Sequence, residues 1–233
     1  MPRIQPRLIC YNAFVKRSAL FLVLTALIIS MAGCVAGIKD SFIMTSQLHI
    51  KYPVLNRLKD KVVQEKINNI IHSAVFKLRD ENASALKKHQ KDYSYYVKSD
   101  VSFDRKDILS IKFEECLSIP FYAHPFNAVY TVTVNANDGS LYKLKDLFVP
   151  GVSWEAALNG ILKKDIDALA KKTGIPLLEV FKSIDKEQGF YLSKGGIVVY
   201  WQEARYFPRY LGPLEITVKY SGIRDVLKKE LKL

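Results

Sequence analysis

Four histidines, His49, His72, His89 and His124, are the side chains here best suited to hold a metal or move a proton near neutral pH. None has another histidine three or four positions away, the spacing by which a helix turns two imidazoles onto one ion, so no metal site and no cofactor are predicted. The acids are no better arranged. Asp165 and Asp167 stand two apart in a helical stretch and point to different faces, while Glu114 and Glu115 fall on opposite faces of a strand. A serine elbow, a glycine-rich phosphate loop and a calcium loop are all missing from the sequence. Catalysis would therefore need residues dispersed along the chain, such as two carboxyls flanking one glycosidic bond. That alternative describes a wall-active hydrolase or esterase, and a further one is a purely structural envelope lipoprotein. No catalytic residue is assigned, and the protein is expected not to be an enzyme.

Two segments carry the residue types of recognition instead. In 121–126 the rings of Phe121, Tyr122 and Phe126 surround His124, and Pro125 restrains the backbone before it. The other meaning of that pattern is a packed loop whose histidine caps a carbonyl. In 203–213 arginine alternates with aromatic rings at Arg205, Tyr206, Arg209 and Tyr210, the residue types that dominate binding hot spots because they join large area to directional donors. Its other meaning is a crossover loop whose rings fill the core. Tyr122, His124, Arg205, Tyr206, Arg209 and Tyr210 are the predicted ligand contacts.

These segments must be positioned by the elements between them. Apolar residues from Leu58 to Leu78 recur at three and four, which predicts one long helix over 57–80. A short strand over 47–52 precedes it and should stop at Pro53, which cannot donate to a ladder. Alternation of period two then predicts strands around 93–97 and 109–113, joined by a charged turn at 104–107, with one covered face. A strand over 128–134 leads into Asn137-Asp138-Gly139, a tight-turn sequence, and 142–148 should return as a strand. Ser153 caps a second helix that Gly174 closes, and Pro176 should open a third, short one. A hairpin joins 190–192 to 197–201, a strand covers 214–218, and 226–231 suggests a terminal helix. The predicted class is α+β, a mostly antiparallel sheet packed with a long N-terminal helix and further helices inserted between strands.

The N-terminus points out of the cytoplasm. Arg3, Arg7, Lys16 and Arg17 precede an uncharged run from Ser18 to Ile38 that contains Met31-Ala32-Gly33-Cys34. A basic head, an apolar middle and small residues before a cysteine read as a lipoprotein signal over 1–33, with Cys34 as the lipidated N-terminus. The same run is also long enough to remain as an uncleaved anchor, and it carries small residues for an ordinary secretory cut. Residues 34–46 are then a tether and 47–233 a single extracytoplasmic domain, on the outer face of the cytoplasmic membrane or secreted. Residues 1–33 hold four basic and no acidic residues, so the remainder keeps 31 basic against 23 acidic ones. That excess suits an anionic membrane surface or wall polymer, and nucleic acid is not an expected partner there. Cys116 would have no disulfide partner in the mature chain, leaving the domain to be held by its core.

The order of motifs also resembles a known family. Lys51-Tyr52-Pro53, Leu58-Lys59-Asp60, Ala123-His124-Pro125, Asn137-Asp138-Gly139-Ser140, Leu144 to Phe148 and Phe190-Tyr191-Leu192 follow one another as in a bacterial extracytoplasmic family of unassigned function. The family looks like the exported domain of the lysozyme-sensing anti-sigma factor and also occurs beside the catalytic domain of a secreted peptidoglycan deacetylase. The resemblance implies a non-catalytic binding or sensing module at the cell wall, with lysozyme or peptidoglycan as partner. Phe121 and Tyr122 stand where relatives tend to have glycine.

Overall fold

The computed structural model describes residues 37–89, 92–105 and 107–231. It is α+β, with a five-stranded sheet in the order β1-β2-β3-β4-β5 and a three-stranded sheet in the order β6-β7-β8. The first sheet comprises β1 (Ile38–Met44), β2 (Leu48–Leu55), β3 (Ser94–Arg105), β4 (Ile108–Ser118) and β5 (Phe126–Asn135). The second comprises β6 (Phe190–Ser193), β7 (Gly196–Trp201) and β8 (Leu214–Lys219). Every pairing is antiparallel except β2 with β3, which makes the large sheet mixed. The helices are α1 (Lys61–Val75), two short turns α2 (Lys77–Glu81) and α3 (Ala83–Leu86), and α4 (Trp154–Thr173).

The N-terminal helix is shorter than its periodicity suggests, for reasons at both ends. Asp60 is the cap: its carboxylate accepts from Val62 N at 2.8 Å and Val63 N at 3.1 Å, so the helix begins at Lys61 and not at Arg57. At the other end the backbone breaks at Phe76, and the freed groups are taken by the sheet. Glu115 accepts from Leu78 N at 2.9 Å and the Tyr95 hydroxyl lies 2.8 Å from the Val75 carbonyl. Fifteen residues are marginal as an isolated helix, so α1 depends on burying Ile67, Ile71 and Val75 against the sheet.

Strand β4, between β3 and β5, is buried on both faces from Ile108 to Leu117, in place of the one covered face expected. Leu109, Ile111, Phe113 and Leu117 face α1. The alternate residues are polar because they meet the second sheet. Ser110 Oγ accepts from Leu192 N at 3.1 Å, and Thr131 Oγ1 donates to the Phe190 carbonyl at 2.7 Å. The outer backbone edge of β6 is thus satisfied by hydroxyls on the face of the large sheet. Lys112 is buried between Glu114, at 2.9 Å, and Glu215, whose other oxygen accepts from Tyr191 at 2.8 Å. Behind the second sheet, α4 packs Leu158, Leu162, Ile166 and Leu169 into a second core. Tight approach limits the residue at one strand start: a Cβ on Gly196 would lie 2.1 Å from the Val218 carbonyl oxygen.

Several expectations are corrected. Residues 38–44, placed in a tether, form edge strand β1, hydrogen-bonded along its length to β2. Pro53 lies inside β2; the ladder to β3 ends at Ile50, and beyond it β2 pairs with β1 alone, an edge position that tolerates a residue without an N–H. The predicted strand over 142–148 is a single bridge from Leu141 to Val134 followed by a 3₁₀ turn at Leu144–Leu147. No helix follows Pro176, and the chain ends in 3₁₀ turns at Tyr220–Gly222 and Lys229–Leu231. Cys116 is buried near the end of β4. The signal segment 1–33 and Cys34 lie outside the described residues.

Candidate functional site

The first recognition segment is the β4–β5 loop. Ile119 is buried at its base, Tyr122 N donates to the Ile119 carbonyl at 3.3 Å, and the turn this makes throws Phe121 outward to 97% exposure. Phe121 has φ of 67°, the left-handed region that a bulky residue adopts only when its surroundings force it. Tyr122 and Phe126 are in ring contact, with centroids 5.4 Å apart. The imidazole in this cluster is His89, 6.1 Å from Phe121 and 6.5 Å from Tyr122. His124 is exposed on the same loop. Sequence reasoning missed His89 because it lies 32 residues before Phe121 and is delivered by the path of α2 and α3. Those turns are held to β5 by a hydrogen bond from the Tyr130 hydroxyl to Glu81 and by Lys77 above the Tyr130 ring, 4.7 Å from its centroid.

The second segment, between β7 and β8, divides into core and surface. Tyr206, predicted as a contact, is 3% exposed and packs edge-on against Trp201 and Phe181, with centroids 5.4 and 5.8 Å away. It is corrected to a core residue, and Phe207 joins it. Alternate residues stay outside. Arg205 pairs with Glu179 at 3.0 Å, Arg209 pairs with Glu203 at 3.3 Å, and Tyr210 is 69% exposed. Ala204 has φ of 62°. Among the described residues, Phe121 and Ala204 are the non-glycine residues with positive φ, one in each segment.

The two segments meet at the open edge of β5. The Gln202 amide donates to the Val129 carbonyl at 2.7 Å and accepts from Val129 N at 3.0 Å, doing what a neighbouring strand would do. Glu203 reaches Asn127 Nδ2 at 3.4 Å on one side and Arg209 on the other. An open cleft of 520 Å³ lies beside this junction, lined by residues that include Asp185, Gln188, Tyr200, Glu203 and Arg205. Trp201 also lines it, and its buried indole N–H has no hydrogen-bond partner. Within the cleft Glu187 pairs with Lys143 at 2.9 Å, which holds its carboxyl below the usual range and suits a fixed charge more than a proton donor. Among the described residues no three His, Cys, Asp or Glu side chains gather where they could hold a metal, and no helix is long and apolar enough to cross a membrane.

Replacing Gln202 with alanine removes both bonds to Val129. A loss of about 1.5 kcal/mol in denaturant unfolding is expected, and an unchanged midpoint would show that water replaces the amide without cost.

Comparison with known proteins agrees with this architecture. Residues 145–221 match the family model described as Protein of unknown function (DUF3298), and residues 44–116 match the model described as Deacetylase PdaC. No curated protein matches the chain. A crystal structure of a DUF3298 family member from Bacteroides fragilis is 16% identical and superposes with a TM-score of 0.64, covering 84% of this chain and 95% of that one. A DUF3298 family protein from Pseudomonas aeruginosa is 14% identical with a TM-score of 0.55, covering 83% and 93%. The chain thus shares its fold with solved DUF3298 proteins, and separate stretches of it are similar to that family of unknown function and to the model named for a deacetylase.

Proposed function

We propose that this protein is a membrane-tethered extracytoplasmic binding module at the cell wall, non-catalytic, whose ligand is a wall-degrading protein such as lysozyme or a wall glycan. The observation that carries this reading is the convergence of two loops at one sheet edge, each with a non-glycine residue in the left-handed region and each presenting exposed rings or cations. Strained backbone held in place by the fold concentrates at sites that bind. Rings such as Phe121, Tyr122 and Tyr210 are costly to leave in water, and they suit both the flat face of a sugar and the core of a protein interface. The similarity of residues 44–116 to a model named for a deacetylase accords with the resemblance to a domain found beside a secreted peptidoglycan deacetylase. The tether is the acylated Cys34 or the apolar run around it.

Calorimetric titration of the full chain against lysozyme and then against soluble peptidoglycan fragments tests the proposal. Saturable binding to either is expected. Tyr122→Ala and Arg209→Ala should each weaken it by about 2 kcal/mol, roughly thirtyfold, if they sit at the centre of the contact. Unchanged affinity in both variants removes these loops from consideration, and turnover of the fragments would replace the binding module with a hydrolase.

A further inference from the structure

The direction of the strands separates the place where the chain enters the domain from the two loops. Strand β1 starts at Ile38 opposite Leu55 and runs toward Met44, opposite His49. His49 is level with Tyr96, Tyr96 with Cys116, and the next residue, Leu117, with Phe126 at the start of β5. Met44 therefore lies at the end of the sheet that carries the 119–126 loop, and Ile38 lies six residue steps away, roughly 20 Å along the strand.

The entry end has its own chemistry. Gly37 accepts from Asn56 N at 2.9 Å, and a Cβ on Gly37 would lie 2.5 Å from the Arg57 side chain, so the incoming chain touches the β2–α1 junction. Lys39, Arg57, Lys59 and Lys61 are all exposed there. Two of the acids beside them are engaged, and Asp100 and Asp104 stand one strand over from β2, on β3. Asp60 caps α1 through Val62 and Val63, and Asp40 pairs with Lys51 at 2.8 Å. Asp107 and Asp138 belong to the ends of β4 and β5, three and four strand spacings away, roughly 14–19 Å. Cys34 precedes Gly37 by three residues, a reach of roughly 10 Å when extended.

We infer that this corner, Lys39 with Arg57, Lys59 and Lys61, docks on an anionic lipid surface and stands the five-stranded sheet on the membrane, presenting the Phe121 and Tyr210 loops toward the wall. The inference rests on the tethered reading above. Its physical basis is proximity: a tether this short holds the corner inside the region where the surface potential is strong, and each cation there raises residence at the surface roughly fivefold.

The test uses the full chain in lipid nanodiscs carrying a nitroxide-headgroup lipid, made from phosphatidylcholine alone or mixed with phosphatidylglycerol. Paramagnetic broadening of backbone amides is read by NMR. Broadening at Lys39, Arg57 and Lys59, absent at Tyr122 and Tyr210, is expected in the anionic discs. It should fall roughly tenfold or more in neutral discs and in the combined Lys39→Glu, Arg57→Glu, Lys59→Glu variant. Equal broadening in both lipids, or broadening centred on Tyr122, overturns the orientation while leaving the tether standing. Concentration-dependent shifts of the same amides without lipid would assign the corner to a second copy of the chain and overturn it likewise. Failure of the chain to elute with the discs removes the tether itself and the docking with it.

Discussion

Between pH 5 and pH 9 the protein should lose stability on the order of a few kcal/mol, and Glu115→Gln should abolish most of that loss. Glu115 is fully buried, and burial is the largest cause pushing its carboxyl from 4.5 up to about 8. Hydrogen bonds from Tyr95 and Leu78 and the charge of Lys77 act the other way, and the Glu81 charge adds to the rise. The geometry agrees. One hydroxyl proton on Tyr95 faces two oxygens, the Val75 carbonyl and the Glu115 carboxyl. Given to Val75, it leaves the phenol oxygen to accept from Glu115, which must then be protonated. In the unfolded chain the same acid releases its proton near 4.5, so across the window from 4.5 to 8 the native state holds more protons and stability falls as pH rises. Above about 8 both states are ionised and this contribution is flat. Glutamine can set its carbonyl oxygen where one Glu115 oxygen meets both the Leu78 N–H and the Tyr95 hydroxyl, without the ionisation. Parallel pH profiles for the two proteins in denaturant unfolding would refute the assignment.

Gly196→Ala should cost about 3 kcal/mol or more, or prevent folding outright. The obstruction is the backbone of β8: the added carbon meets the Val218 carbonyl oxygen at 2.1 Å and its carbonyl carbon at 2.8 Å. No rotamer relieves a clash with main chain, so β7 and β8 would have to separate at Gly196 and Lys219, which face each other in the ladder. Gly195→Ala is the control. It sits in the adjoining turn, where the nearest atom is Ser193 Oγ at 4.0 Å, and it should unfold within about 0.5 kcal/mol of the parent. Equal effects at the two positions would show that turn flexibility governs the hairpin.

What could be read in the sequence was what is decided locally. Asn137-Asp138-Gly139 turns where expected, with Gly139 at φ of 66°, and Gly174 ends α4 in the left-handed region. The hairpin around Lys194 and Gly195 and the antiparallel strands on either side also form from neighbouring residues. What could not be read depends on partners far along the chain. The periodicity runs unbroken through Phe76, and the helix is interrupted there because Glu115 and Tyr95 claim its backbone groups. Strand β1 has too mixed a pattern to announce itself and exists by pairing with β2. In the arginine and tyrosine loop the residue types were right for recognition, but the choice between core and surface fell residue by residue: Tyr206 turned in, Tyr210 turned out.

The side-chain amide of Gln202 bears on how this protein could have been assembled in evolution. The regions similar to the two family models, 44–116 and 145–221, look like separable modules in sequence. Yet β5 ends the first sheet with an edge that Gln202 seals from the second, and β6 finds its own edge partners in Ser110 and Thr131 of the first. Each half lends the other the hydrogen bonds that keep its sheet from recruiting strangers. Either half cut out alone would therefore carry an uncovered, adhesive strand edge with it.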